Sequence, residues 1–174
     1  YWIIKDPSLT VKLLFLSCFV LAEFTMYIYI FHHTRKHNSA LVAGIVYLLN
    51  QWLFIQFTEG HLDIIFSYSF APLLFFLFER TLENCNLRNC LLLALMASFS
   101  VTSFHPQSIY IYGSFLLIYT ALYVLMPERK LGGRLSVLKR VLKTFAISIP
   151  TAILLSSFFF LPLIFGAETP YLSP

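Results

Sequence analysis

The chain has 174 residues, 59% of them hydrophobic and 11% charged, with a net charge of +4 and a mean hydropathy of +0.78. A soluble domain carries about 25% charged residues, and at this length its interior has too little volume for so much Leu, Ile and Phe. An ordinary water-solvated globular domain is excluded, and lipid is the solvent that fits. The sequence opens on Tyr1 and stops at Pro174, and its start lacks the basic, apolar and small-residue order of a signal peptide. It reads as a single membrane-embedded domain, residues 1–174, cut from a longer chain whose remainder is missing.

A spanning helix needs about 20 apolar residues, because its backbone N–H and C=O groups must pair within the segment. Six stretches meet or approach this, in the order Val11 to Phe31, Ala40 to Phe57, Leu62 to Phe78, Cys90 to Phe104, Ser108 to Met126 and Thr144 to Ala167. The expected fold is therefore all-α, a polytopic transmembrane helical bundle of about six spans. The third and fourth stretches are short, and tilt or local thinning must make up the difference. From Cys90 to Met126 the run is too long for one span, and His105-Pro106-Gln107 divides it, since proline cannot continue a helix without losing a hydrogen bond.

Sidedness follows from the basic residues. Arg35 and Lys36, then Arg80 and Arg88, then Arg129, Lys130, Arg134, Lys139, Arg140 and Lys143 fall in alternate loops. Only Lys5 and Lys12 lie elsewhere, while the opposite loops carry Glu59, Asp63 and Glu168 with no Lys or Arg. The basic loops are expected to be cytoplasmic, and this distribution accounts for the net charge without a nucleic-acid partner. The longest, residues 127–143, reads as a basic cytoplasmic loop. After Gly132-Gly133 it could instead coil into an amphipathic helix, with Leu135, Leu138, Val141 and Leu142 at helical spacing.

The outer turn Glu59-Gly60-His61-Leu62-Asp63 concentrates two carboxylates and an imidazole, which suit a divalent cation, a polar headgroup or a proton transfer. Its spacing is not that of a strict metal site, and a solvated loop is the plain alternative. His105 and Gln107 form the next outer turn, and a shared outward cavity would bring His61 and His105 together. Glu23 lies inside the first span, where a carboxylate costs several kcal/mol unless protonated or partnered. Asn50, Gln51 and Gln56 lie in the second span, where interhelical hydrogen bonds of about 1 kcal/mol explain them. Pro72, Pro150 and Pro162 should kink their helices. Cys18, Cys85 and Cys90 read as free thiols. Phosphate cradles, the zinc-protease motif and the nucleophile elbow are absent from the sequence.

One stretch resembles a known family. Ser39-Ala40-Leu41-Val42-Ala43-Gly44 follows a basic turn and leads to Tyr47-Leu48-Leu49-Asn50. Glu59-Gly60-His61, Ala71-Pro72-Leu73-Leu74 and Glu79-Arg80-Thr81-Leu82 then follow in order. This resembles the YfhO-like and related GT-C multispanning glycosyltransferases, and Phe104-His105-Pro106-Gln107 is similar to a second turn of that group. The resemblance covers about half the chain and rests on short motifs. It implies transfer of a sugar from a polyprenyl-phosphate donor at the outer membrane face. His61 and His105 carry over as cavity-lining positions beside Glu59, Asp63 and Gln107. Family members place a catalytic acid in the first long outer loop, which no loop of this sequence matches, so no catalytic residue is assigned. A transporter or lipid flippase, with Glu23 and the polar second span lining a path, is the alternative, and a non-catalytic scaffold is a third.

Overall fold

The structure, a computed structural model, describes residues 7–102, 106–126 and 134–157. The described residues form seven α-helices and no strands: α1 (Pro7–Thr34), α2 (His37–Leu48), α3 (Gln51–Glu59), α4 (Leu62–Glu83), α5 (Leu87–Thr102), α6 (Pro106–Leu125) and α7 (Arg134–Leu155). The all-α expectation holds. Two helices, α1 and α4, are long and apolar enough to cross a membrane, and α2 with α3 makes a third if the bent pair counts as one span.

The six stretches coincide in part with these helices, and among the described residues at most three have the length and composition of a span. The second stretch is broken, with α2 and α3 meeting at 43°. The third is longer than its apolar core, because α4 runs on through Glu79, Arg80 and Glu83 for 22 residues. The fourth is short, with 16 residues in α5. The sixth begins ten residues early, since the segment from Arg134 to Lys143 is the first part of α7 rather than loop. His105, residues 127–133 of the expected 127–143 loop and the end of the sixth stretch lie outside the described residues.

Helix α4 is the hub. Its Leu74, Leu77, Phe78 and Leu82 join Leu93 of α5 and Val141 of α7 in one buried cluster, with Leu116, Tyr119 and Tyr123 of α6 packed against it. Its Ile65 joins Phe15 and Cys18 of α1 and Leu53 of α3 in a second. Much of the remaining interior is small or hydroxylated, with Ala22, Thr25, Ala40, Ser67, Ser69, Ala94, Thr144 and Ser156 all 1% exposed or less. Large apolar side chains such as Val20, Phe24, Val42, Val46, Phe115, Leu117 and Leu154 point outward. Small residues inside and large apolar ones outside is the pattern of helices that approach closely in lipid, where burying leucine gains little.

The close approach is clearest between α1 and α2. Ala40 and Gly44 lie four residues apart and are both buried. A Cβ placed on Gly44 would sit 3.1 Å from the Glu23 carbonyl oxygen and 3.1 Å from its Cγ. Any larger residue would make the Glu23 backbone give by a few tenths of an ångström.

Pro72 sits inside α4 and has no N–H for the carbonyl of Tyr68 four residues back. The Tyr47 hydroxyl donates to that carbonyl at 2.8 Å. The Tyr68 hydroxyl in turn donates to the Tyr47 carbonyl at 2.9 Å, which the break after α2 leaves without a helical donor. The two rings stack at 4.1 Å. The next carbonyl, of Ser69, accepts from the Thr25 hydroxyl at 2.6 Å. Neighbouring helices thus supply what the proline removes, as irregular backbone in a membrane requires.

Candidate functional site

Chemistry-bearing side chains collect at the two ends of the α1–α4 pair. At one end α3 stops at Glu59, and Gly60 takes the left-handed conformation, φ 79°. The His61 N–H bonds back to the Gln56 carbonyl at 3.0 Å and the Gly60 N–H to Phe57 at 3.2 Å. This pair of bonds closes the helix end, and only glycine adopts such a backbone cheaply.

The turn exposes its functional groups. His61 Nδ1 lies 2.9 Å from Gln56 Oε1 and 3.6 Å from Glu59 Oε2, with both side chains about half exposed. Asp63 lies in the first turn of α4, where the helix dipole favours a negative charge. It also stands at the rim of a groove between α1 and α4, about 460 Å³ in volume, whose walls include Leu14, Cys18, Leu21 and Phe66. The sequence-predicted Glu59 and His61 are therefore brought together, with Asp63 nearby on the groove side. His105 and the side chain of Gln107, and with them the expected cavity shared with His61, lie outside the described residues. Among the described residues no three His, Cys, Asp or Glu side chains converge as a metal site.

The other predicted positions divide. Glu23 is half-buried against Gly44, as its place inside a span requires. Asn50 caps the N-terminus of α3, its side-chain oxygen accepting the Trp52 N–H at 2.9 Å. It reaches the Tyr68 hydroxyl only at 3.4 Å, so its main task is the break rather than helix association. Gln51 is exposed at the start of α3.

The opposite end holds a cluster that composition and spacing did not single out. Glu79, near the C-terminus of α4, is 8% exposed. Its carboxylate accepts from the Tyr29 hydroxyl at 3.2 Å and lies 2.8 Å from His33 Nε2, with Tyr119 of α6 nearby. For His33 to donate, its proton must sit on Nε2. Tyr29 and His33 are one turn apart on α1, and that i, i+4 spacing was the only sequence signal available. Beside them the Tyr27 hydroxyl meets His37 Nδ1 at 2.6 Å, across a turn in which Arg35 adopts φ 55°.

Cys85 and Cys90 flank the α4–α5 turn with their sulfurs 3.9 Å apart, and both are free thiols, as is Cys18. No family model, curated protein or solved structure matches this chain.

Proposed function

We propose that this chain is the membrane-embedded part of a GT-C-like glycosyltransferase, a bundle of about six spans that uses a polyprenyl-phosphate-linked sugar at the outer face. The observation that carries the reading is the groove between α1 and α4, apolar along its walls and rimmed by Asp63, next to the turn that presents Glu59 and His61. An isoprenoid chain fits the apolar walls, and the phosphate and sugar would then lie at the rim. There His61 orients the phosphate when protonated, and the carboxylates of Glu59 and Asp63 hold hydroxyl groups of sugar or acceptor by hydrogen bonds. No residue of this chain is assigned as the catalytic acid or base. The family resemblance of residues 38–82 and the gathering of basic residues in alternate loops support the same sidedness.

The test is transfer from a radiolabelled polyprenyl-phosphate sugar by the full-length protein. Asp63→Asn and His61→Ala are each expected to lower it at least tenfold, and unchanged transfer in both would end the assignment. A transporter or flippase is the second reading, favoured by one observation, the half-buried Glu23 at the α1–α2 contact. Reconstituted vesicles separate the two, because substrate movement without sugar transfer selects transport.

A further inference from the structure

The first turns of α7 differ from the rest of that helix. From Arg134 to Lys143 they carry four basic residues and no acid, and from Thr144 to Leu155 the helix has no charge. Val137, Val141, Thr144 and Ser148 are buried on the side that packs against α5. The outward side shows Leu135, Leu138 and Leu142 at 66%, 40% and 59% exposure. Between them lies a recess of about 440 Å³ lined by Leu135, Ser136, Lys139, Arg140 and Lys143.

Helical spacing explains the convergence. Leu135, Lys139 and Lys143 are four residues apart and form one stripe, and Ser136 and Arg140 form the next. The two ammonium groups are therefore one turn apart, with a hydroxyl and a guanidinium beside them. Arg140 is held in place because one of its five N–H groups donates to the Glu83 carbonyl at the end of α4, at 3.1 Å. No carboxylate lines the recess, and none of the three cations forms an ion pair among the described residues.

We propose that this recess binds the phosphate of an anionic phospholipid in the inner leaflet, with Leu135, Leu138 and Leu142 resting against its acyl chains. A cluster that only fixed orientation needs a count of positive charges near the span. It does not need three cations on one recess of a helix that continues into the apolar bundle. A water-facing helix would not alternate lysine with exposed leucine, whereas an interface of anionic headgroups and acyl chains matches both. The inference rests on the sidedness used in the proposed function, but not on the enzyme reading.

Binding is measured with the purified full-length protein in neutral detergent, using labelled phosphatidylglycerol and labelled phosphatidylcholine as probes. Phosphatidylglycerol is expected to be retained at least tenfold better. In Lys139→Gln/Lys143→Gln, which keeps the Arg140 tether, that preference should fall by about 25-fold at most, at about fivefold per lysine. Equal retention of the two lipids, or an unchanged preference in the double variant, overturns the proposal. So does displacement of the lipid by millimolar inorganic phosphate, which would make the site one for a soluble anion. Orientation is read separately, from labelling of Ser136→Cys by an impermeant maleimide in sealed vesicles. Labelling from outside removes the inner-leaflet assignment, and protection supports it. Loss of sugar transfer leaves these readouts untouched.

Discussion

The two ends of α4 carry carboxylates with opposite lives. Asp63 and Glu79 are separated by about 24 Å along the helix at 1.5 Å per residue. Glu79 is enclosed and bonded by two side chains of α1. Asp63 is exposed, and its neighbours Glu59 and His61 are held only loosely to each other. A buried carboxylate whose two oxygens are each already bonded by its own protein has less left for a ligand, and its charge serves to hold α1 and α4 in register. A carboxylate at the rim of an apolar groove, still hydrated, keeps its bonding capacity for something that arrives. The saturated end therefore serves architecture, and the open end is the one that the proposed function gives to substrate.

Substitutions at the two ends should separate stability from activity. The largest effect on folding is expected for Glu79→Ala, which leaves Tyr29 and His33 facing an empty acceptor. About 3 kcal/mol should be lost, seen as a lower thermal midpoint in detergent, and a change under 0.5 kcal/mol would remove the architectural role. Gly44→Leu comes next, at about 1–3 kcal/mol, because its side chain must push the Glu23 backbone away. Its measurement is crosslinking of cysteine pairs across α1 and α2, which should become less efficient.

Tyr47→Phe should cost about 1–2 kcal/mol by stranding the Tyr68 carbonyl. In a Pro72→Ala background the new N–H satisfies that carbonyl, so most of the Tyr47→Phe penalty should vanish. A double-mutant cycle measures this directly, and additive penalties would show that Tyr47 acts only through its ring. The smallest stability effect belongs to the outer end. Glu59→Gln with Asp63→Asn should stay within about 0.5 kcal/mol of the parent, as exposed substitutions do, while sugar transfer by the full-length protein falls.

Much of the fold could be read from residue order alone. Apolar runs located the helices, Gly60 marked the end of α3, and Pro72 marked a place where α4 needs help. The break after α2 was hidden, because Asn50 sits in an apolar run and its capping bond to Trp52 is local detail within it. A polar residue in a hydrophobic stretch suggests interhelical bonding first, and capping competes with that reading only once the chain bends. The early start of α7 was half visible, since Leu135, Leu138 and Val141 already had helical spacing. Glu79 was legible only as the first letter of Glu-Arg-Thr-Leu. Its burial depends on where Tyr29, His33 and Tyr119 arrive, and no local pattern encodes that meeting. Glu59, His61 and Asp63 were singled out by their concentration in five residues, but the groove beside Asp63 is a product of how α1 packs on α4.

The proline in α4 has a consequence for how the protein is made. The groups that serve the carbonyls around Pro72 come from Thr25 and Tyr47, which precede it in the chain. During synthesis from the N-terminus, the donors emerge before the acceptors they serve. The α1–α2 hairpin can thus wait as a template, and α4 need never stand alone in the bilayer with its backbone exposed. Moving the proline helix ahead of that hairpin, by permuting the gene, should lower the yield of inserted protein even with every final contact preserved.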